Sequence, residues 1–150
     1  MDSSNLSDFA ALSAISGLLL VGFLIFLIPV IFFLLTLQKA LTRVAAERRT
    51  MNPPMVWLGL IPLFNVIWNF FMVTALAKSL DAELTARNIP HENEPGKTFG
   101  QVWAGLSAAC LVPGLGFLLG IPVLIMWIIY WVKIAGFSGM IADPGFKNPS

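Results

Sequence analysis

The sequence predicts an all-α, polytopic membrane protein with four transmembrane helices, the last two forming a tight hairpin. Three observations predict it. First, the stretches Leu12–Leu37, Met55–Ala77 and Val102–Val132 contain no charged residue. A spanning helix needs about 20 apolar residues, so the first two runs each suit one span and the third suits two short ones. Second, the third run is broken by proline and glycine, "VPGLG" at 112–116 and "GIP" at 120–122, where a turn belongs. Third, the chain is 57% hydrophobic and 11% charged, against about 25% charged in soluble domains.

The elements follow in order. A polar tail, 1–11, precedes a transmembrane domain over 12–137, with spans at about 12–37, 55–77, 99–112 and 117–137. The first helix has Ser7 or Asp8 to cap it. Ser13 and Gly17 form a small-xxx-small face, and Pro29 predicts a bend. The run is too long, and the segment before it too acidic, for a cleaved signal sequence, so it is expected to be retained. "QKALTRVAAERRT" consists of good helix formers, with Arg43 and Glu47 spaced i, i+4, and "NPP" at 52–54 ends that helix. The second span is expected to continue as an amphipathic helix through "KSLDAELTAR", with Leu80 and Leu84 on one face and Glu83 paired to Arg87. Pro90 ends it and "HENEPGKTFG" is a polar loop. An irregular tail occupies 138–150.

Four spans put both termini on one side and the loop 38–54 on the other. That loop holds Lys39, Arg43, Arg48 and Arg49 against the single acid Glu47, while the amino-terminal tail holds Asp2 and Asp8 with no basic residue. Positive charge favours the cytoplasmic side, so loop 38–54 is expected to be cytoplasmic. The whole-chain count opposes this, because Lys78, Arg87, Lys97, Lys133 and Lys147 would then lie outside. The first helix is given the greater weight.

Little in the chain points to chemistry. The net charge of +1 offers no field for nucleic acid. The one cysteine, Cys110, cannot form an internal disulfide, and the one histidine, His91, stands in no cluster with metal-ligand spacing. No cofactor is expected. The spans contain no acid, which argues against a proton relay, and no nucleophile–base pair is evident. "LIPLFNVIWNF" is the polar exception. Pro62 should free the Leu58 carbonyl, and Asn65 and Asn69, one turn apart, lie on the same stripe. They are candidates for interhelical packing or for lining a path. Gly116 and Gly120 are spaced as a helix-packing motif. Trp57, Trp103, Trp131 and Lys133 fall near span ends and read as interface anchors.

"RRTMNPPMVWLGLIPLFNVIWNF", "SLDAELTAR" and "WIIYWVKIAGFS" together resemble a group of small bacterial inner-membrane proteins for which no activity is established. Arg49, Met51, Pro53, Trp57, Leu58, Leu60 to Asn65 and Tyr130 to Ile134 carry the likeness, which covers about 48–138. It implies a four-helix membrane fold and brings no catalytic residue.

The expected function is that of a structural, accessory or self-associating component of a bacterial inner membrane, without catalysis. Its partners would be the lipid bilayer and a second copy or another membrane protein. The alternative is a small-solute channel or carrier, formed by an oligomer around the Asn65/Asn69 face.

Overall fold

In the computed structural model, which describes residues 3–61 and 63–143, the chain is all-α, and no strand occurs among the described residues. It divides into two compact units at Phe33/Leu34. The first unit is a single stretch of helix α1 (Ser3–Arg43), which continues into the second. Pro29 lies inside it. Ser13 and Ser16 fold their hydroxyls back onto the carbonyls of Ala10 and Ser13, at 2.8 and 3.0 Å. That satisfies two polar groups without a second helix. Large apolar side chains of this unit are exposed, Leu18 to 79%. Helix begins at Ser3, so Ser7 and Asp8 lie within it and the expected tail 1–11 is largely helical.

The second unit contains the last turns of α1, a single 3-10 turn at Ala46–Arg48, a 3-10 helix at Pro53–Leu60, α2 (Phe64–Ala86), α3 (Lys97–Ala109) and α4 (Leu115–Ala142). Helix α1 ends at Arg43, before "NPP", so the expected Arg43–Glu47 helical pair does not form. The expected second span, 55–77, is not one helix. Its first part is the 3-10 helix, and its remainder belongs to α2. Between them Leu63 has φ of 65°, a left-handed conformation that costs an L-residue about 1–2 kcal/mol and cannot propagate a right-handed helix. The 3-10 helix then packs back against α2. Pro62 itself lies outside the described residues. As expected, α2 runs on through Leu80, Leu84 and Glu83.

Helices α2, α3 and α4 pack in sequence, α3 against both others. Gly100 allows this. A Cβ there would stand 2.5 Å from Val73 and 2.7 Å from Tyr130, closer than carbon atoms pack. The α3–α4 turn falls at Cys110–Gly114, slightly earlier than expected, with Gly114 at φ 88°. Helix α4 runs to Ala142, so 138–142 are helical rather than irregular, and 144–150 lie outside the described residues. Helices α1 and α4 are each long and apolar enough to cross a membrane. The core comprises Leu37, Leu41, Val56, Met72, Val73, Leu76, Leu80, Leu84 and Ile134.

Candidate functional site

Polar chemistry gathers at one end of the second unit, where the carboxyl-terminal ends of α1, α2 and α4 meet the loops. Glu83 is its centre. The side chain is 1% exposed, and an isolated buried carboxylate is costly. Three donors offset that cost. Oε2 accepts the Ala45 N–H and Arg48 Nη1, each at 3.0 Å, and Oε1 accepts Arg87 Nε at 2.6 Å. Burial pushes the Glu83 carboxyl up, but the Ala45 amide and the Arg87 and Arg48 guanidiniums outweigh it. The group is held below the ordinary carboxylate value.

Arg87 reaches further, and Arg43 and Arg49 join it. Arg87 Nη1 donates to the Ile141 carbonyl at 2.9 Å. Arg43 Nη1 donates to the Ser138 carbonyl and hydroxyl, at 2.6 and 2.8 Å. Arg49 returns to the end of α1, donating to the carbonyls of Val44 and Thr42. The bonds to Ile141 and Thr42 satisfy carbonyls that a helix leaves open in its last turn. Thr50 completes the joint. Its N–H donates to Ser79 Oγ at 3.0 Å and its hydroxyl donates to the Ala75 carbonyl at 2.6 Å.

A second cluster closes the α2–α3 loop. His91 bridges the Ile89 carbonyl, 2.7 Å from Nδ1, and Asp81 Oδ1, 3.1 Å from Nε2. Asp81 also accepts the Glu94 N–H. Glu92 Oε1 accepts the Gly96 N–H at 3.0 Å and Lys133 Nζ at 2.6 Å. The Lys133 ammonium holds Glu92 below the usual carboxylate value, with the Gly96 amide adding to it against burial. Lys97 pairs with Glu94. Among the described residues, no group of three or more His, Cys, Asp or Glu could hold a metal ion.

The sequence candidates are placed as follows. Asn69 is 7% exposed and lies against Gly59, with Oδ1 3.7 Å from where a Cβ would stand there. Asn65 is half-buried. The Leu58 carbonyl does not wait for an asparagine: it accepts the Ile61 N–H at 3.2 Å. Gly116 sits beside the Cys110 carbonyl of the turn, 3.1 Å from its Cβ position, and Gly120 faces open space, so the pair does not act as one face against a helix. Trp57 donates to Gln38 Oε1 at 2.7 Å and Trp131 to Thr36 Oγ1 at 3.0 Å. Trp103 is buried and stacked on Tyr130. Lys133 does not extend freely toward an interface; besides Glu92 it lies 4.5 Å from the Phe99 ring centroid.

Sequence reasoning found the Glu83–Arg87 pair but missed Arg48, Arg43, Ser138, Thr50 and Ser79. The signal available was a cluster of basic residues following one apolar run and a single acid, Glu83, on the buried Leu80–Leu84 face. No family model, curated protein or solved structure matches the chain.

Proposed function

We propose that the protein is a non-catalytic integral membrane component that works by packing, against itself or another membrane protein, in a bacterial inner membrane. The observation that carries this reading is the exposed apolar surface of α1, typified by Leu18 and Phe23. Only acyl chains or another apolar helix can cover such a face without loss. Arg43, Arg48 and Arg87 support it too, since they tie the ends of helices together. The resemblance of 48–138 to small bacterial inner-membrane proteins points the same way.

The channel or carrier reading would use Asn65 and Asn69 as a lining. The burial of Asn69 against Gly59 favours packing instead. The test is extraction in mild detergent, followed by size determination and reconstitution. The packing reading expects a stoichiometric homo- or hetero-oligomer and liposomes that remain tight to small solutes. Solute flux through liposomes of the pure protein overturns it.

A further inference from the structure

We propose that, beyond its one crossing by α1, the chain dips into the bilayer twice from a single face and returns each time, so that the amino terminus and the end of α4 lie on opposite sides. This rests on the membrane reading above and replaces the expected four crossings.

The first hairpin is the 3-10 helix with α2. Its two outer ends are tied together, Arg48 to Glu83 and Thr50 to Ser79 and Ala75. Ile61 and Leu63 stand at its tip. The second hairpin is α3 with α4, tied at its open end by Lys133 to Glu92 and by Ile134 against Gly96. Its tip is Cys110–Gly114. Arg87 on Ile141 joins the two open ends, and Arg43 on Ser138 joins the second to the end of α1. Trp131 to Thr36 and Arg43 to Ser138 share a separation of 95 residues, so the last turns of α1 run parallel to α4. Residues 43–50, 79–96 and 133–142 therefore share one face. Four crossings would need 38–54 and 78–98 on opposite faces.

The tips are made for lipid. Leu63 is 79% exposed at the first tip, Leu111 and Val112 are uncovered at the second, and Phe117, just beyond it in α4, is 94% exposed. Neither tip contains a charge, a tryptophan or a tyrosine to anchor it at a second interface. The arms are short. Eight residues of 3-10 helix rise about 16 Å, and the 13 residues of α3 about 20 Å, against a hydrocarbon core of about 30 Å. Backbone in lipid must satisfy itself, and much of this backbone does. Ile61 bonds to Leu58, Asn65 to Ile61, Val66 to Leu63, Leu111 to Ala108, Val112 to Ala109 and Leu115 to Val112.

The topology also removes the conflict in charge. Arg43, Arg48, Arg49, Arg87 and Lys133 fall on the shared face, Lys39, Lys78 and Lys97 lie within about a turn of it, and no basic residue precedes Lys39 in the sequence. That face is cytoplasmic by the positive-inside rule.

Single cysteines in the full chain, with Cys110→Ser as background, test this with a membrane-impermeant maleimide on intact cells and inverted vesicles. Asn5→Cys should label from outside. Glu47→Cys and Asn93→Cys, both at exposed positions, should label only from the cytoplasmic side. Val112→Cys should resist labelling from either side until detergent is added. Glu47→Cys and Asn93→Cys on opposite faces, or Val112→Cys labelled from outside, overturns the proposal while leaving the membrane reading intact. Release of the protein by alkaline carbonate would instead remove the membrane reading on which the proposal rests.

Discussion

Arg48 Nη1 lies 3.0 Å from Glu83 Oε2, joining the loop after α1 to the last turns of α2 across 35 positions of sequence. The contact makes one acid the common acceptor for three donors, since Glu83 also takes the Ala45 amide and Arg87. Removing it strands an N–H and two guanidiniums. Breaking a buried ion pair costs about 3–5 kcal/mol, and the partial exposure of both arginines places Glu83→Ala near the lower end. Glu83→Gln keeps one acceptor and should lose less. Thermal unfolding in detergent measures both, and equal stability of Glu83→Ala and the parent would refute the central role of this acid.

The same acid predicts a pH dependence. Glu83 is held below its ordinary value of 4.5 in the folded protein, and Glu92 is lowered as well. The unfolded chain then binds more protons than the folded one in the acid range, so stability rises with pH there. The contribution is complete above about 4.5 and is lost as pH falls through the lower folded values. Melting temperatures recorded from pH 7 to pH 3 should decline below about pH 4.5. Glu83→Gln should flatten that decline in part, leaving the share that belongs to Glu92.

Gly100 gives a steric prediction. Its missing Cβ would overlap Val73 and Tyr130, both fully buried. Gly100→Ala should destabilise by about 1–3 kcal/mol, the usual range for overpacking, although alanine is the better helix former. Gly105→Ala is the control on the same helix. Its nearest neighbour is Phe70 at 4.0 Å, so the propensity gain should dominate and stability should hold or rise. Equal effects at the two sites would mean that α3 does not approach α2 and α4 as closely as described.

Much of this architecture is readable from residue patterns, and the failures have a common cause. Apolar length alone locates α1 and α4, and proline and glycine locate the turn at Cys110–Gly114. The Leu80–Leu84 face and the Glu83–Arg87 spacing predict the end of α2. The run 55–77 misleads because hydropathy reports apolar character and not the path of the backbone. A 3-10 arm with its return helix is as apolar as one straight span. The polar joint is equally hidden, because Arg48, Thr50 and Ser138 acquire their roles only when distant helix ends meet. The partners of the tryptophans are hidden for the same reason: Trp57 and Trp131 donate their N–H groups to Gln38 and Thr36, which are distant in sequence.

Asn69 separates the packing reading from the path-lining one. Its side chain is buried against Gly59, where the 3-10 arm folds back on α2, while Asn65 is half-buried one turn away. An amide in an apolar setting holds two donors and an acceptor that favour protein or water over acyl chains. If it secures the arm, Asn69→Leu should loosen the hairpin by about 0.6–2 kcal/mol, the range for polar contacts between membrane helices. Asn65→Leu should cost less, and the double variant should approach the sum. The readouts are detergent melting temperature and oligomer size, joined by solute flux in liposomes. Packing predicts lowered stability in the order Asn65→Leu, Asn69→Leu, double variant, with no flux from the parent protein. Leucine at both positions with unchanged melting and an intact oligomer would remove the packing role. Flux from the parent that the double variant abolishes would assign the two asparagines to a path.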